Sequence, residues 1–203
     1  MGKLIVGQFM TLDGVVQSPG MPEEDAADGF RHGGWQVPYF DQEFGEAMGP
    51  EMARSDALLL GRKTYDIFAS YWPKAPADDP AALKLNAMPK YVASRTMKRA
   101  DWQNTTLLRP DLKAEVARIK GLHKEVHVIG SGDLVQSLLR ERLVDELDLW
   151  VYPLVLGSGK KLFASGTVPA ALKLTRSRTF GNGALLLTYE PVGEPTYGTT
   201  ALG

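Results

Sequence analysis

The chain has 203 residues, a formal net charge of -1, and 44% hydrophobic against 23% charged residues, a balance that suits one globular core. Its basic residues are scattered, so nothing electrostatic selects nucleic acid or an anionic membrane as a partner. The lack of cysteine excludes disulfides, thiolate zinc sites, iron–sulfur clusters and thiol nucleophiles together, and fits a reducing, cytoplasmic compartment. The apolar stretch within the first ten residues is too short for a signal h-region, and no run is long enough to span a bilayer.

In chain order, Lys3 to Met10 reads as a buried strand ending in the turn signature Thr11-Leu12-Asp13-Gly14. Ser18 to Pro38 is rich in glycine, proline and acids, which predicts a long loop of functional or mobile character. Asp41 to Met52 has helical spacing, with Phe44, Met48 and Met52 on one face. Ala57 to Leu60 is a short strand stopped by Gly61, followed by a helix over Lys63 to Tyr71 that Pro73 helps to end.

Lys90 to Ala93 and Thr105 to Leu108 read as strands, and Pro110 to Lys120 as an amphipathic helix stopped by Gly121. Glu125 to Ile129 is a strand closed by Gly130-Ser131-Gly132, and Asp133 to Arg142 a helix with Leu134, Leu138 and Leu139 inward. Asp145 to Tyr152 alternates as a strand, and Pro153 to Lys161 is a glycine-rich loop. Leu172 to Phe180 and Ala184 to Glu190 flank Gly181-Asn182-Gly183, a strong hairpin signal. This order predicts an α/β fold: a mostly parallel, twisted sheet covered on both faces, with antiparallel strands at one edge. A single domain over 1–190 and a polar tail over 191–203 complete the division.

Ligands of such sheets bind outside the carboxyl ends of the strands, and three strand exits here carry phosphate chemistry. Gly61-Arg62-Lys63-Thr64 opens a helix, where free N–H groups, two cations and a hydroxyl suit an anion; two solvated basic residues beside a cap is the plainer alternative. Ser94-Arg95 follows a strand and offers a guanidinium fork, although Ser-Arg-Thr is also an ordinary polar turn. Gly130-Ser131-Gly132-Asp133 allows close backbone approach to a pyrophosphate, or else is a tight turn with Ser131 or Asp133 as cap. Jointly the exits supply a pyrophosphate cradle and additional cations, which favours NADPH over NADH.

These segments resemble the dihydrofolate-reductase-like superfamily, in its branch related to the reductase domain of the riboflavin-biosynthesis deaminase–reductase. The resemblance is carried by Thr11-Leu12-Asp13-Gly14, Gly61-Arg62-Lys63-Thr64-Tyr65, Gly130-Ser131-Gly132, Val144-Asp145-Glu146-Leu147 and the stretch Pro153 to Phe163. It implies a three-layer dihydrofolate-reductase-like fold and a homodimer. It also places Arg62, Lys63 and Thr64 at the NADPH phosphates, Ser94 and Arg95 near the adenosine 2′-phosphate, and Gly130 to Gly132 at the pyrophosphate. The riboflavin enzyme commonly carries a zinc deaminase domain, for which this chain has no cysteine ligands. Dihydrofolate reductases place a carboxylate two residues after the proline of a Trp-x-x-Pro segment; here Trp35-Gln36-Val37-Pro38 is followed by Asp41, one residue further on.

The expected activity is reduction of a pyrimidine- or pterin-like ring, the alternative being an NADP(H)-binding or regulatory module without turnover. Hydride chemistry belongs to the nicotinamide, so the protein manages one proton, which a carboxyl of raised pKa could donate. Asp13 and Asp41 are the candidates, with turn former and helix N-cap as their ordinary roles. Trp35 and Tyr39 could stack on a planar ring, and Lys160 could meet an anionic part of the substrate; loop packing and solvation are their ordinary roles. His123 and His127 are spaced i, i+4, but the helix is expected to end at Gly121 before them and His127 falls in a strand pattern, so these two and His32 do not point to a metal site. The Leu147–Tyr152 stretch and the final hairpin are the expected sheet-edge interface of a dimer.

Overall fold

Four consecutive residues, Ala57 to Leu60, are wholly buried, the mark of a strand covered on both faces. That strand sits inside an eight-stranded sheet in a computed structural model that describes residues 1–200. The strands are β1 (Lys3–Thr11), β2 (Ala57–Gly61), β3 (Lys90–Ala93), β4 (Thr105–Leu107), β5 (Glu125–Ile129), β6 (Glu146–Tyr152), β7 (Ala171–Thr179) and β8 (Leu185–Gly193). The helices are α1 (Gln42–Arg54), α2 (Arg62–Tyr71), α3 (Pro80–Ala87), α4 (Leu112–Leu122) and α5 (Gly132–Arg140). The strand order is β4-β3-β2-β5-β1-β6-β8-β7, with the β6–β8 and β8–β7 pairings antiparallel and the others parallel. This is the expected three-layer α/β architecture of dihydrofolate-reductase-like type.

Side chains alternate between two cores, as the pleat requires. Leu4, Val6, Leu59, Val126, Val128, Leu147 and Leu149 meet Val116 and Ile119 of α4 and Val135 and Leu138 of α5 on one face. On the other, Trp150, Tyr152 and Leu186 meet Ala47, Phe44 and Met48 of α1, while Leu58, Leu60 and Val92 meet Tyr65 of α2 and Leu85 of α3. Each large apolar side chain so buried contributes about 1.5–3 kcal/mol relative to an exposed one.

Several local expectations need correction. β6 is buried at every position and lies between β1 and β8, so it does not alternate with solvent and cannot form a dimer edge; β7 is the edge on that side of the sheet and β4 on the other. Gly121 does not stop its helix: α4 runs through it to Leu122, and His123 caps the end. β8 continues to Gly193, past the expected boundary at 190, because Ala171 still pairs with Gly193 across the hairpin. The tail residues 201–203 lie outside the described residues. α3 has no strong apolar stripe; its start is set by Asp79, whose carboxylate accepts from Ala81 and Ala82 N–H, and by Pro80 in the first turn.

The chain leaves β1 for β2, which lies beyond β5, and leaves β5 for β6, which lies beyond β1. Neighbouring strands with opposed onward connections open a crevice at their carboxyl ends.

Candidate functional site

β3, β2 and β5 are consecutive neighbours, so their exits line one edge over roughly 10 Å at ordinary strand spacing. The three segments singled out from sequence are therefore brought together. Two of them are bonded directly. The Gly61 N–H donates to the Ser131 hydroxyl at 2.9 Å, and the Ser131 N–H donates to the Thr64 hydroxyl at 2.9 Å. The Ser131 hydroxyl in turn donates to the Ile129 carbonyl at 3.0 Å.

The turn that permits this is left-handed twice, with φ of 57° at both Gly130 and Ser131. A Cβ on Gly130 would lie 3.2 Å from the Thr64 hydroxyl, so conformation and closeness together favour glycine there. Ser131 occupies the N-cap position of α5, its carbonyl accepting from Val135 N–H at 2.9 Å, but its side chain makes no cap bond to the helix. It ties two strand exits together instead.

Around this seam, Arg62 and Lys63 occupy the first turn of α2, about half-exposed; Arg62 lies 3.6 Å from Asp66 one turn on. Amides of a helix's first turn have no partner within the helix and sit at its positive end. Ser94 accepts from Thr96 N–H and Met97 N–H at 3.2 and 3.0 Å, the polar-turn geometry, and leaves Arg95 exposed at the β3 exit. Gly132 and Asp133 begin α5, with Asp133 exposed.

The residues expected to meet substrate fall elsewhere. The Asp13 carboxylate accepts from the Thr11 hydroxyl at 2.6 Å and from Leu156 N–H and Gly157 N–H at 3.2 and 2.9 Å. The Thr11 hydroxyl, aided by those amides, holds the Asp13 carboxyl below its ordinary pKa. In this geometry Asp13 ties the β1 turn to the 153–163 loop. Asp41 caps α1 through Phe44 N–H at 2.8 Å, and its second oxygen accepts from Asn182 at 3.0 Å.

Trp35 is buried, with its indole N–H on the Gln17 carbonyl at 2.8 Å, and both Trp35 and Tyr39 pack edge-on against Tyr152. Their observed role is packing of the loop. The Tyr152 hydroxyl accepts from Gln36 at 2.7 Å, and burial pushes its pKa up. The histidines do not converge: His123 bonds Tyr91, His127 faces Glu125, and His32 packs on Phe30.

Two features escaped sequence reasoning. Lys160 is not free but lies 2.6 Å from Asp25, which also meets Lys63 at 3.3 Å. Partial burial works to raise the Asp25 carboxyl, and the Lys160 ammonium, the Ala27 N–H and the Lys63 ammonium together outweigh it, holding the group below its ordinary pKa. In the sequence Asp25 is only one of the acids of the Ser18 to Pro38 loop. The raised carboxyl sought from sequence is Asp148, pushed up by burial despite its bond from the Thr188 hydroxyl at 2.6 Å. It stands four residues before the end of β6, roughly 13 Å below the strand exits.

A family model for the RibD C-terminal domain matches residues 2–186. The chain belongs to the RibD C-terminal domain family. That family is of reductase type, which agrees with an exit edge built from glycine, hydroxyl and cationic residues. A Bacillus subtilis (strain 168) relative, Uncharacterized protein YyaP, is 33% identical over 140 residues, covering 66% of this chain and 73% of that one. Among solved structures, a Shewanella sp. PV-4 protein provisionally assigned to riboflavin biosynthesis superposes with a TM-score of 0.67 at 23% identity, covering 93% of this chain and 98% of that one. The diaminohydroxyphosphoribosylaminopyrimidine deaminase/5-amino-6-(5-phosphoribosylamino)uracil reductase of Thermotoga maritima gives 0.62 at 13% identity, covering 94% of this chain but 56% of its own. At these identities the two structures share the RibD C-terminal fold with this chain.

Proposed function

We propose that this chain is a cytoplasmic NADPH-dependent reductase of a small pyrimidine- or pterin-like ring. The observation that carries the reading is the seam at which Gly61, Thr64 and Ser131 bond the β2 and β5 exits together beside Arg62 and Lys63. The residues fit a dinucleotide: Gly130 leaves room where a Cβ would crowd Thr64, and two cations flank the helix amides. Arg62, Lys63 and Thr64 would hold the phosphates, Gly130 to Gly132 with Asp133 the diphosphate side of the cleft, and Ser94 and Arg95 the 2′-phosphate. When bound, the nicotinamide supplies the hydride.

Membership in a reductase-type family and the uracil reductase named among its structural neighbours support the ring class. Trp35, Tyr39 and Lys160 line the loops on the ring side of this reading, with Asp13 and Asp41 fixing those loops.

One observation favours a second reading, a cofactor-binding module without turnover: the oxygens of both Asp13 and Asp41 are engaged by structural hydrogen bonds. Anaerobic mixing of the protein with NADPH and a panel of pterins, pyrimidines and quinones separates the two. Oxidation of NADPH with any pterin or pyrimidine supports the reductase; binding without oxidation across the panel supports the module.

We further propose a homodimer through β7, a nine-residue edge strand exposed along nearly its whole length, with Leu172 and Leu174 outward. Light scattering after size exclusion should give twice the 22.2 kDa chain mass; a monomer would remove this element.

A further inference from the structure

The segment between β1 and α1 is shaped by its own hydrogen bonds. Gly34 N–H donates to the Ser18 carbonyl at 2.8 Å and Gln36 N–H to the Pro19 carbonyl at 3.1 Å, so the ends of the loop meet, as in an Ω-loop. Inside it, the Gln17 side-chain amide donates to the carbonyls of Asp25 and Ala27 at 2.9 and 3.1 Å, and the Asp25 carboxylate accepts from Ala27 N–H at 3.2 Å. Phe30 fixes the loop to the 153–163 segment: a Cβ on Gly159, where φ is 119°, would sit 2.7 Å from the Phe30 ring.

At one point this loop reaches the anion edge. Asp25 extends its two oxygens to two cations on separate elements, Lys63 in the first turn of α2 and Lys160 in the 153–163 loop. Lys63 lies in the first turn of α2, directly after the β2 exit, which brings this group to the anion edge. The Asp25 side chain is 19% exposed, against 56% for Lys63 and 39% for Lys160. The carboxylate is therefore the inner member and the ammonium groups face outward.

A carboxylate has the same charge sign and acceptor chemistry as a phosphate oxygen, so it satisfies the cations that an anionic ligand would use. We propose that Asp25 is a built-in counter-ion for Lys63 and Lys160, a latch that an incoming phosphate group must displace at this edge. This inference rests on the phosphate reading of the edge given above. Ion pairs at a surface are individually weak, so a ligand carrying several charges displaces the latch, and displacement frees the loop at Asp25 while Phe30 stays anchored.

Asp25→Asn tests this, because the amide keeps an acceptor for Ala27 N–H and removes only the charge. NADPH and inorganic pyrophosphate are titrated into wild type and variant by calorimetry, with melting curves to verify folding. The variant is expected to bind both probes about three- to tenfold more tightly. Unchanged or weaker binding by a folded variant overturns the latch and leaves the phosphate reading standing, since Asp25 would then serve only to position the lysines. Failure of both probes to bind either protein overturns both. A measurement on the wild type alone guards against a variant that does not fold. Hydrogen exchange at 19–30 should accelerate on adding pyrophosphate, and no acceleration overturns the latch.

Discussion

The cofactor edge and the ring-side loops of this protein are built by opposite means. At the edge, chemistry sits in short turns directly after β2, β3 and β5, and the parallel order of those strands brings the turns side by side. On the ring side, each working contact joins residues far apart in the chain: Asp13 with Gly157, Gln36 with Tyr152, Asp41 with Asn182. The edge is thus a property of local sequence plus topology. The ring side is a property of loops that meet only once the sheet has formed, and it is there that relatives of one fold can differ in substrate.

Breaking the edge should have the largest effect. Arg62→Glu replaces a cation by an anion in the first turn of α2, and loss of a charge-assisted phosphate contact is worth about 1.5–3 kcal/mol, or roughly 10- to 100-fold in NADPH affinity. Fluorescence titration reads this directly, and the melting temperature should stay near that of wild type, because Arg62 is half-exposed. Ser131→Ala comes next. It removes the acceptor for Gly61 N–H and the donor to Ile129, costing about 1–3 kcal/mol of stability in a denaturant titration, and NADPH affinity should fall with it.

The ring side should respond to acid instead. The folded pKa of Asp13 lies below its ordinary 3.8, so its contribution to stability is full above that pH and disappears as pH falls through the lowered value. Asp13→Asn should flatten this acid limb, with NADPH affinity at neutral pH left within about twofold. The smallest effect belongs to neither region. Burial holds His127 below its ordinary 6.5, partly offset by Glu125, so the folded state keeps it neutral while the unfolded chain takes up a proton. Stability should therefore fall as pH drops from 6.5 through the lowered folded value, and His127→Gln should remove that slope.

The same contrast explains what the sequence disclosed. β3 and β5 lie where their apolar runs put them, and the hairpin falls around Gly181-Asn182-Gly183, because these are local signals. α3 was illegible by periodicity, although Asp79-Pro80 is a capping pair that marks its start. Gly121 misled because a glycine in a final turn is tolerated when the following residues still complete the helix. β6 looked half-solvated because Glu146 and Asp148 interrupt its apolar residues, yet both are buried, Glu146 against Lys3 and Arg54 and Asp148 against Thr188. At the site, residue types announced Arg62, Lys63 and Gly130, whereas Asp25 gave no signal. Its meaning comes from two lysines, one of them 135 positions away.

The most direct test of the central claim is a parallel titration of the pure protein with NADPH and NADH at one ionic strength. The account predicts micromolar NADPH binding and at least about tenfold weaker NADH binding, since the additional phosphate finds cations at the edge. Equal binding would contradict the assignment of Ser94 and Arg95 to a 2′-phosphate, and binding of neither would contradict the reading of the edge as a dinucleotide site.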